Sequence, residues 1–212
     1  MKAEASCPRC PRTLRPPDAR TPDWTCAAHG TVLPWRPAAE PGPAALAAVL
    51  ADARVPVWVP WPLPAGWLVT GFAAAGDERT GVRAAAVALS APGLLGGRAD
   101  LVLVAEEPGV GAGARLAGLR GPDPGAGFHA AAPHVKLDVA GPRACAVPLW
   151  AVAAAPDRAA YVGEALGDWL WAVLWPADAG MLLLEATGLL DLRAPGIAVD
   201  LPYGPLGPRL TP

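Results

Sequence analysis

A chain of 212 residues, 53% hydrophobic and 17% charged, has enough apolar material for one sizeable domain plus a small appendage, and this composition excludes general disorder. Its formal net charge of −2 lacks the basic excess by which nucleic-acid binders hold phosphates. No stretch reaches the roughly 18 unbroken apolar residues of a membrane span, since Glu164, Asp168 and Glu185 interrupt the best candidates.

The N-terminal segment carries the clearest chemistry. Cys7 and Cys10 are separated by two residues, as are Cys26 and His29, and fifteen residues lie between the pairs. Paired turns of this kind bring four donors to the corners of one tetrahedron, the pattern of a structural Zn²⁺ site. Four protein ligands leave no open position for water, so the expected cofactor is a single structural zinc ion. Pro16-Pro17-Asp18 is the expected turn of the intervening hairpin. One departure from the usual ribbon is Pro11, where a glycine commonly follows the first pair; Gly30 does follow the second. Three of the four cysteines fit this site, which is thiol usage of a reducing compartment. With no apolar leader in "MKAEASCPRC", a cytoplasmic location is expected.

Residues 1–36 are therefore read as a zinc-ribbon-like domain. Residues 37–66 are read as a Pro-rich linker, a short helix over 43–54 and an extended strap, "VPVWVPWPLPAGW", whose prolines forbid helix. Three tryptophans in the strap, Trp58, Trp61 and Trp67, point to burial against the chain's own domain. Residues 67–212 are read as an α+β domain, mainly antiparallel sheet with a few short helices.

Within it, "GWLVTGFAAAG" and "VRAAAVALSA" flank the loop "DERTG" as a hairpin. "ADLVLVAEE" is the next strand and "GVGAGARLAGLRG" a short helix. A loop over 121–134 precedes three further strands, "HVKLDVAG", "VPLWAVAAAP" and "RAAYVGEAL". In "DWLWAVLW" the residues Trp169, Trp171, Val173 and Trp175 share one face and Leu170, Ala172 and Leu174 the other. That pattern predicts a strand buried on both sides. It is expected to turn at "PADAG" into a second strand, Met181–Glu185, with "ATGLLDLRAPG" as a closing helix.

Taken together, "SCPRC", "WTCAAHG", "VPVWVPWPLPAGW", "ADLVLVAEEPGVG" and "WLWAVLWPADAG" resemble an uncharacterised family of actinobacterial proteins, a domain of unknown function that begins with a zinc-ribbon-like motif. The resemblance spans nearly the whole chain. It implies the two-part layout and supplies no catalytic residue.

Other chemistry is sparse. Gly109, Gly111 and Gly113 follow a strand and open a helix, so their backbone amides are a candidate anion site, although the full dinucleotide-binding fingerprint is absent. Glu106 and Glu107 are read as a solvated strand end, His129 and His134 as exposed loop residues near Asp123, and Cys145 as an inert buried thiol. No catalytic residue is assigned.

Three functions are weighed. The favoured one is a non-enzymatic zinc-ribbon binding or adaptor protein with a protein partner. Arg9, Arg12 and Arg15 with Trp24 and Trp35 are its candidate contact residues, because arginine and tryptophan dominate interface hot spots. The alternative is a small phosphate- or acyl-handling transferase using the loop 109–113. The third, nucleic-acid binding through the ribbon, meets a formal charge of only +2 over residues 1–40, reduced by one when three thiolates hold Zn²⁺.

Overall fold

The computed structural model describes residues 4–93, 96–140, 144–184, 188–194 and 199–211. Near the N-terminus β1 (Thr25–Cys26) and β2 (Gly30–Thr31) form a small antiparallel hairpin, followed by β3 (Trp35–Pro37). Helix α1 (Pro43–Leu50) begins on a proline, whose missing N–H is harmless in a first turn. The strap contributes β4 (Trp58–Pro60). Three long strands come next: β5 (Leu68–Asp77), β6 (Gly81–Pro92) and β7 (Arg98–Glu106).

Helix α2 (Ala112–Ala117) lies between left-handed glycines at either end. The chain then runs through β8 (Val135–Ala140), β9 (Cys145–Ala151), β10 (Ala159–Ala165) and β11 (Asp168–Trp175). A 3₁₀ helix, Ala177–Leu184, precedes the last described strand, β12 (Gly188–Asp191). The protein is thus mainly antiparallel sheet with few short helices, and none of its described helices is long and apolar enough to cross a membrane.

Among the described residues ten strands form one sheet in the order β3-β5-β6-β7-β11-β10-β9-β8-β12-β4, antiparallel throughout except for the parallel pair β8–β12. The far edge, β4, comes back into contact with β6 and β7, so the sheet is curled. Period-two alternation then divides the side chains between two cores. Leu89, Leu101, Leu103, Leu170 and Leu174 point into the curl with Trp58, Phe72 and Leu189. On the opposite face Ala84, Ala86 and Ala88 of β6 share a cluster with the bulkier Trp35, Trp171 and Trp175 and with α2. Small residues on one strand leave volume for large ones beside them, as close packing requires. Gly113 shows how tight this is, because a Cβ there would overlap the Trp171 indole.

The two faces expected for β11 are observed, but the expected hairpin after it is not. Both edges of β11 are already hydrogen-bonded, one to β10 and one to β7, so the following segment has no edge to join and coils into the 3₁₀ helix. Glu185 lies outside the described residues. The expected closing helix is also corrected: Gly188–Asp191 is a strand held between β8 and β4. Those partners lie far away in sequence, and pairing with them overrides the local pattern.

In the strap, Trp58 and Trp67 are each 2% exposed while Trp61 is 38% exposed, so only the outer two tryptophans anchor it. The expected boundary at residue 36 falls inside β3, which pairs with β5 of the sheet and bridges through Trp35 to Ser6 of the ribbon segment.

Candidate metal centre

Two tight turns build the cluster. In the first, the Cys7 N–H donates to the Arg12 carbonyl at 2.9 Å and Ser6 bridges to Thr13, closing a loop that holds Cys7 and Cys10. In the second, Cys26 opposes Gly30 across the β1–β2 hairpin, and Ala27–His29 form its turn. Gly30 completes it at φ 69°, a left-handed conformation that glycine adopts without strain. A backbone bridge between Arg15 and Thr25 fastens one hairpin to the other. The expected middle turn is displaced slightly, to Asp18–Thr21, where the Asp18 carboxylate accepts the Arg20 and Thr21 N–H groups at 2.8 Å each.

The ligand atoms of Cys7, Cys10, Cys26 and His29 all lie within 4.8 Å of one another, and this group could hold a metal ion. His29 presents Nδ1, at 3.5 Å from the Cys7 sulfur and 3.7 Å from that of Cys26. The Cys10 and Cys26 sulfurs are 3.7 Å apart, far beyond a disulfide bond of about 2 Å, and all the cysteines are free thiols. Burial lifts the Cys7 thiol to about 12. Burial acts upward on Cys26 too, but N–H groups of Ala28 and His29 and the His29 ring outweigh it and bring that thiol down to about 6.

The first turn also grips the sheet domain. Arg9, between Cys7 and Cys10, donates from Nε to the Val110 carbonyl at 3.2 Å and from Nη2 to the Gly109 carbonyl. Trp35 is fully buried, donating from Nε1 to the Leu210 carbonyl at 3.2 Å. Of the five residues read as partner contacts, these two thus face inward. Arg12 and Arg15 are exposed, and Trp24 is half-buried with the Arg36 guanidinium 5.0 Å above its ring. A cavity of about 350 Å³ lies along the seam, lined by Arg9 and Trp24 on one side and Arg79, Arg83 and Glu107 on the other. Two of its cations are ion-paired, Arg79 with Asp23 and Arg83 with Glu107.

Glu106 corrects an expectation. It is fully buried, and its carboxylate accepts the Ala112 N–H at 2.6 Å and the Gly113 N–H at 3.1 Å. Burial pushes its pKa up to about 8 from an ordinary 4.5, against the pull of these amides and that of Gly111. The Gly109 N–H donates instead to Asp123, at 2.8 Å. The amides of Gly109, Gly111 and Gly113, expected to be open to an anion, are occupied by the protein's own carboxylates. The alternation of β7 held the missed signal, for Glu106 is in phase with Val102 and Val104, which belong to the same buried face.

His129 and His134 are exposed, as expected. His129 packs edge-on against Phe128, and His134 accepts the Ala151 N–H at 3.1 Å through Nδ1. Neither lines the seam cavity, nor does Glu106. Cys145 is exposed and not buried. It shares the inward phase of Val147 and Leu149 but stands at the first residue of β9.

The chain belongs to a family of unknown function, DUF6758, whose model matches residues 1–210. Neither the curated proteins nor the solved structures yielded a match.

Proposed function

We propose that this protein is a non-enzymatic binding or adaptor protein, in which one structural Zn²⁺ held by Cys7, Cys10, Cys26 and His29 fixes a ribbon surface for a protein partner. The observation that carries the reading is the spacing of the donors. Zinc bonds of about 2.3 Å to sulfur and 2.0 Å to nitrogen at tetrahedral angles require edges of about 3.8 Å between sulfurs and 3.5 Å from sulfur to nitrogen. The sulfur pair at 3.7 Å and the sulfur–nitrogen pairs at 3.5 and 3.7 Å fit those edges. Four protein donors leave the metal no substrate position, so its role is to shape the ribbon.

The contact surface is narrower than the sequence indicates. With Arg9 and Trp35 committed to the sheet domain, Arg12 and Arg15 are the exposed cations that remain of the set. They suit an acidic patch on a protein partner, in the cytoplasm, where the thiols stay reduced. The test is a double variant, Arg12→Ser with Arg15→Ser, expressed in the native host. It should retain one zinc per chain by elemental analysis and unchanged melting, yet lose the partners that co-purify with the wild-type protein. Full recovery of every partner would reject the adaptor role, and a wild-type protein without zinc would reject the metal.

A further inference from the structure

Arg115 stands out as a half-buried cation on α2. Its Nε and Nη2 atoms are buried without a hydrogen-bond partner among the described residues. It belongs to α2, on the sheet-domain side, and its guanidinium lies 5.5 Å from the centroid of the Trp35 ring. Trp35 in turn exchanges both backbone hydrogen bonds with Ser6, at 2.9 and 3.0 Å, and Ser6 precedes the first ligand, Cys7. Trp35 thus links the Arg115 side chain to the residue that precedes the metal-binding turn. Leaving two guanidinium nitrogens buried without a partner is costly, and a negative charge nearby offsets that cost.

Two sources of negative charge lie within its electrostatic reach: the Cys7 and Cys10 sulfurs, and Glu106. Glu106 turns its oxygens to the α2 amides and forms no ion pair with Arg115. The sulfurs are left. Three thiolates and a neutral imidazole around Zn²⁺ would carry a net charge of −1, which the Arg115 guanidinium would balance.

We infer that Arg115 is a positioning residue for the metal centre, a counter-ion from the sheet domain that makes metal binding and ribbon docking mutually dependent. The inference rests on the zinc reading. Coupling of this kind is reciprocal: whatever docking adds to metal affinity, metal adds to docking. Arg9 is the matching contact in the other direction, from the ligand turn to the carbonyls that precede α2.

The experiment measures Zn²⁺ affinity by competition with a chromophoric chelator on the full chain. Arg115→Met should weaken binding 10- to 100-fold, the range found when groups that support metal ligands are removed. Arg115→Lys keeps the charge and should lose less. Arg20→Met, which removes an exposed ribbon cation, should match the wild type. Should Arg115→Met fail to fold, hydrogen exchange on the wild-type protein decides. Chelation should then lower protection at Ala112–Ala117 at least tenfold while β6 and β7 keep theirs. Arg115→Met binding Zn²⁺ within threefold of wild type, or unchanged α2 protection after chelation, overturns the coupling and leaves the zinc site standing. A wild-type chain that binds no Zn²⁺ overturns both.

Discussion

The ribbon and the sheet domain keep their shapes by different means. The ribbon's own buried cluster is Cys7, Leu14, Cys26 and Val32, and two of those four are candidate metal ligands. The sheet domain instead closes around a continuous set of leucines, valines and aromatics from nearly every strand. A unit with so little apolar interior cannot offset the entropy of ordering its chain, whereas the curled sheet can. On the proposed reading, a bound metal would be to the ribbon what the core is to the sheet. Arg9, Trp35 and Arg115 carry contacts between the two parts.

The strongest way to break this contrast is to remove the metal. Cys26→Ser, or chelation of the wild-type protein, should unfold residues 5–33 while β5, β6 and β7 stay protected from hydrogen exchange. Cooperative loss of the whole chain would show that the sheet has no independent stability. The converse is a cut into the sheet's interior. Trp58→Ala should cost about 3–5 kcal/mol in denaturant unfolding, as large aromatic truncations do, yet leave zinc content unchanged. Metal loss in that variant would mean the ribbon relies on the strap.

A smaller effect concerns pH. Because burial raises Glu106 in the folded state to about 8 from 4.5, the folded protein holds that proton more tightly than the unfolded chain does. Its stabilising contribution is complete below pH 4.5 and declines as pH rises toward 8, by at most about 1.4 kcal/mol per pH unit. In Glu106→Gln this slope should vanish from urea unfolding measured between pH 5 and 8. Equal slopes in the two proteins would refute the assignment.

Much of this contrast was legible in the sequence. The four ligands stand out because metal geometry demands a spacing that ordinary packing does not. β5, β6, β7 and β11 could be read because alternation over seven or more residues survives any neighbour. β12 was misread because four residues, Gly188–Asp191, give too short a period, and its partners come from β4 and β8. Glu106 was misread because its charge was given more weight than its phase with Val102 and Val104. Arg115 has no local signature at all, since the residues that explain it are Trp35 and the ligand turn.

The strap's pairing also has a consequence during synthesis. Among the described residues β4 has one hydrogen-bonded neighbour in the sheet, β12, and more than a hundred residues separate them in the chain. A ribosome adding about 5–20 residues per second needs on the order of ten seconds to cover that distance. Through that interval Val57, Trp58 and Val59, nearly inaccessible in the finished protein, emerge without the strand that will cover their backbone. The alternating prolines at 56, 60, 62 and 64 suit such a wait. They withhold the amide hydrogens that a stray strand would use for pairing, and so keep an apolar segment from recruiting its counterpart on another nascent chain.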